Sequence, residues 1–261
     1  MTDIIHYFQS LDILSWQVIT LLIIAGFLVG FINTMAGSGT ILSYSLFMML
    51  GLPANIANGT IRLGVIMQTL AASLTYKKQK VLDVKKGLWL SISVVIGSIL
   101  GAQIAVTINK DIFEIVVGGV MIIMLFFIFI KPERWIKGKI GLIKEKPTFV
   151  QFIIFFLIGI YGGFIHIGIG IFLLGALVMS AGYDLVKANA LKVFIVLLST
   201  PFALAVFMYN GQIHYAMGLI AAIGNALGGI VASHYAVNWG ANIIRWILIV
   251  VIILYTLKLF S

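Results

Sequence analysis

The sequence of 261 residues contains no cysteine. Disulfides, thiolate metal sites and cysteine nucleophiles are therefore excluded. Acidic residues are scarce, eight against 17 lysines and arginines. They are Asp3, Asp12, Asp83, Asp111, Glu114, Glu133, Glu145 and Asp184, and all fall in loops or at the ends of apolar segments. That leaves no carboxylate at a membrane midplane to relay protons or hold sodium, so coupling through Asp or Glu is disfavoured. The sequence has no HExxH, no Walker loop and no paired intramembrane carboxylates. No metal and no cofactor is expected. The first residues, MTDIIHYFQSLDILSW, include no Lys or Arg. They lack the basic start of a signal peptide and are expected to be retained.

What the chain has in abundance is apolar surface. It is 62% hydrophobic and 10% charged, with a mean hydropathy of +1.16. The apolar runs recur along the whole length, which identifies a polytopic membrane protein whose solvent is the lipid bilayer. In hydrocarbon every backbone polar group must be paired internally, so helices or a closed barrel remain. The runs are about 20 residues long and do not alternate with period two, which selects helices. Ten segments are expected, at 17–36, 38–50, 56–77, 84–108, 112–130, 149–166, 168–181, 186–209, 214–237 and 241–260. The second of each group of five is too short to span comfortably and reads as half of a broken or re-entrant hairpin.

The two groups of five are copies. A shift of 131 residues carries Gly37 onto Gly168, Gly39 onto Gly170, Gly51 onto Gly182, Ala57-Asn58 onto Ala188-Asn189 and Gly97 onto Gly228. Upstream the shift becomes 133, carrying Gly26 onto Gly159 and Gly30-Phe31-Ile32 onto Gly163-Phe164-Ile165. The slip falls between Asn33 and Gly37, where a loop absorbs it and a helix interior would not. The expected domains are an N-terminal repeat over 1–130, a basic cytoplasmic linker over 131–148 and a C-terminal repeat over 149–261. Five lysines in 77–86 and six Lys or Arg in 131–146 place those loops in the cytoplasm. Nucleic acid is a poor partner for such short clusters with one aromatic, Trp135. The 209–215 loop has no Lys or Arg and falls outside. Five segments per half then make the repeats inverted and put both termini outside, the pattern of a secondary transporter. Trp16, Tyr76, Trp89, Trp239 and Trp246 lie near segment ends, where aromatic belts are expected.

The stretch FINTMAGSGTILS (31–43) breaks an apolar run with polar and glycine residues. A half-helix starting there would aim free N–H groups and a positive dipole end at the bilayer centre, an anion site. Gly37 and Gly39 let the backbone approach a ligand, and Ser38 and Thr40 add hydroxyl donors. Gly168 and Gly170 form the matching half-site. Asn58 and Arg62 lie one turn apart on the third segment, with Asn189 and Lys192 at nearly the same place in the other half. Cations within a span are costly and usually functional. Asn33 and His166 occupy equivalent places beside the two breaks and could orient a ligand. Gln68, Ser199 and Asn225 are weaker candidates for lining a path.

The pattern GFLVGFINTMAGSGTILSYSLFMMLGLPANIANGT (26–60) resembles the TauE/SafE group of sulfite exporters: a Gly-rich stretch, an apolar half-helix, a Gly-Leu-Pro turn and an Ala-x-Gly-Thr helix entry. The second copy, GIYGGFIHIGIGIFLLGALVMSAGYDLVKANALK (159–192), repeats it with fewer glycines and with Ala190-Leu191 in place of Gly-Thr. The resemblance implies an inner-membrane transporter, not an enzyme, exporting a small sulfur-containing anion such as sulfite or an organosulfonate. An inside-negative potential drives each negative charge outward by about 2.3 kcal/mol per 100 mV, so export needs no coupling ion. The rivals are transport of another solute on the same architecture and, from another class, a membrane enzyme acting on lipid through His166 or His234. A homodimer is left open.

Overall fold

A computed structural model of the chain describes residues 12–109, 111–113, 115, 116, 119 and 148–260, with side chains through Val237. The basic loop at 131–146, almost all of the expected 112–130 segment, Glu114, Glu133, Glu145, and the side chains of Trp239 and Trp246 lie outside the described residues.

The described residues include eight helices: α1 (Trp16–Ala36), α2 (Thr40–Met49), α3 (Ala54–Lys78), α4 (Val84–Thr107), α5 (Phe149–Phe164), α6 (Ile169–Met179), α7 (Leu185–Tyr209) and α8 (Tyr215–Phe260); residues 111–113, 115, 116 and 119 are also helical. Local chemistry sets several starts. Asp83 accepts from the Lys86 N–H to cap α4, Asp184 does the same with Lys187 for α7, and Thr148 with Gln151 forms a capping box on α5. Four helices are long and apolar enough to cross a membrane: α1, α4, α7 and α8 over Tyr215–Val237. The expected span 56–77 is a 25-residue helix, α3, yet not among those four. It carries Asn58, Thr60, Arg62, Gln68, Thr69 and Ser73, all buried. These polar residues face protein, while Met67, Leu70 and Leu74 on the same helix are exposed, so the polar content is tolerated.

One expectation is corrected. The sequence suggested a turn between segments 214–237 and 241–260, but α8 is a single helix of 46 residues. Residues 238–242, NWGAN, contain no proline. Their one glycine weakens a helix by only about 1 kcal/mol. The tenth separate segment and the external C-terminus rested on that turn.

Packing follows small residues. α1 lies on α8, where a Cβ at Gly26 or Gly30 would run into the backbone of Ala221 or Asn225. α4 lies on α5, where one at Gly97 or Gly163 would run into the backbone of Phe156 or Ser98. Such backbone-to-backbone approach replaces the hydrophobic drive that lipid does not supply. α3 also packs on α8 and α7, and α7 on α4 and α6. At the two ends of α3 the loops pair up. At its C-terminal end, Lys86 lies over the Tyr183 ring at 5.9 Å, and burial together with the Asp83 carboxylate pushes the Tyr183 phenol up to about 12. At its N-terminal end the His214 N–H donates to the Thr60 hydroxyl at 2.9 Å.

Candidate functional site

α1 stops because Gly37 takes φ +79° and its N–H closes onto the Asn33 carbonyl. In the other half α5 stops where Ile165 turns extended, and Gly168 at φ +73° precedes α6. Glycine alone adopts this left-handed conformation without penalty. The two breaks meet. A Cβ on Gly37 would stand 2.5 Å from the Gly170 backbone, so nothing larger than hydrogen fits there. Thr40 Oγ1 donates to the His166 carbonyl at 3.2 Å, tying one break to the other. The Tyr161 hydroxyl donates to the Ile167 carbonyl and braces the second break from within its own half.

The broken ends expose carbonyls, and each is held by a cation from the opposite half. Arg62 donates through Nη1 to the Gly162 carbonyl at 3.2 Å and through Nη2 to the Gly163 carbonyl at 2.7 Å. Asn58, one turn earlier, donates to the Phe164 carbonyl at 2.9 Å. The guanidinium lies 4.6 Å from the centre of the Phe207 ring. Lys192 Nζ donates to the Asn33 carbonyl at 3.2 Å and the Thr34 carbonyl at 2.8 Å. A cation at a helix C-terminus complements the dipole there.

Arg62 is 1% exposed and Lys192 2%. Among the described residues the one ion pair is the exposed Lys187–Asp184 contact, so neither buried cation meets a carboxylate. Burying an ion without a counter-ion costs several kcal/mol. A charge-assisted hydrogen bond returns about 1.5–3 kcal/mol, and the helix end up to about 2 kcal/mol. These gains offset the cost in part. Two buried basic side chains with no described carboxylate beside either make a site whose electrostatics an anion would complete.

A cavity of about 10 Å³ lies beside the breaks, room for roughly one water. Five expected site residues line it: Asn33, Gly37, His166, Gly170 and Lys192. Gln68 and Thr69 add polar wall, and Ile169, Val193 and Val196 add apolar wall. Gln68 is fixed by accepting from Asn33 Nδ2 and donating to Thr34 Oγ1, each at 3.1 Å. His166 is 2% exposed, with its ring near the Gly162 carbonyl but without a well-formed hydrogen bond. The other expected residues stand back from the cavity. Asn58 and Arg62 clamp α5. Thr40 links the breaks, and Gly39 packs on the Val29 and Asn33 backbone of α1. Ser38 is half-buried, and Gly168 sets the turn into α6. Asn189 donates to the Tyr76 hydroxyl at 2.8 Å.

That bond corrects the belt reading of Tyr76, which is completely buried, whereas Trp16 and Trp89 are exposed. A helical period was the available signal: Asn58, Arg62, Val65, Thr69, Ala72 and Tyr76 recur every three or four residues, and all are buried. Thr69 belongs to the same stripe and was passed over.

A family profile described as "Sulfite exporter TauE/SafE" matches residues 22–259. The chain belongs to this family. Relatives of TauE/SafE type are similar over nearly their whole length. A probable membrane transporter protein, ORF9, of Sinorhizobium sp is 28% identical, covering 95% of this chain and 94% of the relative. A probable membrane transporter protein of Haemophilus influenzae is 26% identical over 93% and 94% of the two chains. The probable membrane transporter protein YfcA of Escherichia coli is 24% identical over 97% and 93%. No solved structure gives a significant match. This TauE/SafE chain is thus a member of a family of membrane transporters.

Proposed function

We propose that this chain carries a small sulfur-containing anion, such as sulfite or an organosulfonate, outward across the inner membrane. The observation that carries the proposal is the pair of buried basic side chains, Arg62 and Lys192, held on backbone carbonyls with no described carboxylate paired to either. The sulfur comes from the family description. The anion would sit near midplane between the two halves. Lys192, His166, Asn33 and the glycines of the breaks would contact it at the cavity, which must widen from its water-sized volume to admit the anion. Arg62 would act from the far side of the second break, through charge and through its hold on α5. A cation as cargo is disfavoured by this excess of positive charge.

The two halves act, in this reading, as inverted repeats. Three facts support it. Gly37 and Gly168, Gly51 and Gly182, and Lys80 and Gly211 are each 131 residues apart, and all six have positive φ. The α1–α8 and α4–α5 pairs exchange under the repeat, α1 mapping onto α5 by the 133-residue shift, as do α3–α8 and α4–α7. The start of α4 neighbours the loop before α7, while the start of α3 neighbours the loop after α7. The breaks and cavity sit where one half would rock against the other.

The test is flux in proteoliposomes with sulfite, sulfoacetate, taurine, sulfate and a potassium control. Sulfite or sulfoacetate should move, and Arg62→Gln and Lys192→Gln should slow it. Movement of potassium instead, or anion flux indifferent to both substitutions, would sink the proposal.

A further inference from the structure

The two buried cations differ in a way that anion binding alone does not use. Arg62 keeps its proton under all ordinary conditions, whereas a buried lysine exchanges its proton with ease. Their surroundings differ in the same sense. Arg62 is committed to two carbonyls and an aromatic face, and it does not line the cavity. Lys192 does line it. Its Nζ donates to two carbonyls, Asn33 and Thr34. An amine has two hydrogens and an ammonium three. Both forms therefore keep the two observed bonds, and the remaining position on Nζ holds either a lone pair or a proton.

The other titratable and charged groups around Lys192 are few. The second break brings His166 to the same cavity. α3 brings Arg62 and Tyr76 in the interior, with Lys77 and Lys78 at its end. α5 brings Tyr161. α4 brings Lys85 and Lys86 only at its start, and α8 as far as Val237 brings Tyr215, His234 and Tyr235, all exposed. α1 and α6 bring none. No carboxylate is present in this set to hold the ammonium charged when the cavity lacks an anion.

We propose that Lys192 is a proton-binding site coupled to the anion, so that one proton and one anion occupy and leave the cavity together. The inference rests on the anion reading above. On loading, a hydronium ion gives its proton to the Nζ lone pair. One O–H bond breaks, one N–H bond forms, and water is left. The site then carries two positive charges, which an incoming monoanion returns to one. On release the ammonium returns its proton to water as the anion departs. For a monoanion the transported pair is neutral. The membrane potential ceases to act on it, and the anion and proton gradients together set the direction of flux. The pair of carbonyls explains why lysine rather than arginine serves here: each protonation state satisfies them.

The experiment uses proteoliposomes of the full chain with a pH dye in the lumen and potential clamped by potassium and valinomycin. Methanesulfonate is the probe, because it stays ionised across the working range and cannot itself carry the proton. Wild type should deliver about one proton per anion, with flux unaffected by the clamp voltage and falling as pH rises. Lys192→Arg should cut the proton-to-anion ratio at least tenfold and remove the pH dependence, while His166→Asn should keep the ratio. Detergent-solubilised wild type should also take up protons on binding methanesulfonate, and Lys192→Arg should not. Anion flux in wild type that follows voltage and moves no protons overturns the inference while leaving the anion reading intact. A ratio unchanged in Lys192→Arg also overturns it, placing the proton elsewhere. If wild type moves none of the sulfonates or sulfite, the anion reading falls and this inference with it.

Discussion

α3 and α7 enter the interior with similar equipment, Ala57-Asn58 against Ala188-Asn189, but treat the opposite break differently. α3 holds three successive carbonyls of α5, at Gly162, Gly163 and Phe164, with three donors from Arg62 and Asn58. α7 holds two carbonyls of α1 with Lys192 alone, and Asn189 turns away to Tyr76. The cavity opens beside the weaker clamp. The water-sized space thus appears where the hold on the broken helix is lightest, and widening it would compete with two hydrogen bonds rather than three.

The comparison can be broken first at the breaks. Gly37→Val sets a side chain against the Gly170 backbone and forces a β-branched residue to φ +79°. The expected result is almost no monodisperse protein in detergent chromatography, a loss of more than about 3 kcal/mol. Normal recovery would mean that the breaks do not press together. Next come the clamps. Arg62→Gln leaves buried carbonyls of α5 short of donors and should cost about 3 kcal/mol, against about 2 kcal/mol for Lys192→Gln. Melting in matched detergent should rank Arg62→Gln below Lys192→Gln, and the reverse order would deny the asymmetry. A subtler check is Asn58→Ala against Asn189→Ala. Both remove one buried bond worth about 1 kcal/mol, but only the first should slow anion flux, because only it loosens a break. The smallest effect is expected at Gly51. It has φ +94° but no atom within 4 Å of a Cβ, so Gly51→Ala should cost only about 1 kcal/mol and leave flux intact.

Much of this arrangement was legible in the residues because glycine reports backbone conformation. The register of Gly37 with Gly168 and of Gly51 with Gly182 marked positions that share positive φ. Even Lys80, whose mate is Gly211, obeys it. The polar cluster on α3 announced burial through its cost in lipid. What remained hidden depends on contacts between residues far apart in the chain. Nothing near Arg62 indicates that its partners lie about a hundred residues away, at Gly162 and Gly163. Thr40, read as a donor to a ligand, gives its hydrogen to His166 because the breaks meet head-on. Tyr76 resembled a belt residue because its position near a helix end was visible and its neighbour Asn189 was not. The continuous α8 was missed because a polar, glycine-containing stretch resembles a turn when no proline settles the matter.

The central claim is that the positive charge at the joined breaks exists to hold an anion. Isothermal titration of sulfite and methanesulfonate into the purified full chain tests it most directly, with sodium and potassium chloride as controls. The account predicts saturable binding of one anion per chain in wild type, weakened at least tenfold in Arg62→Gln and abolished in the Arg62→Gln, Lys192→Gln double variant, with folding of each checked by circular dichroism. Equal binding by wild type and a folded double variant, or no sulfite or sulfonate binding to wild type at millimolar concentration, would contradict it.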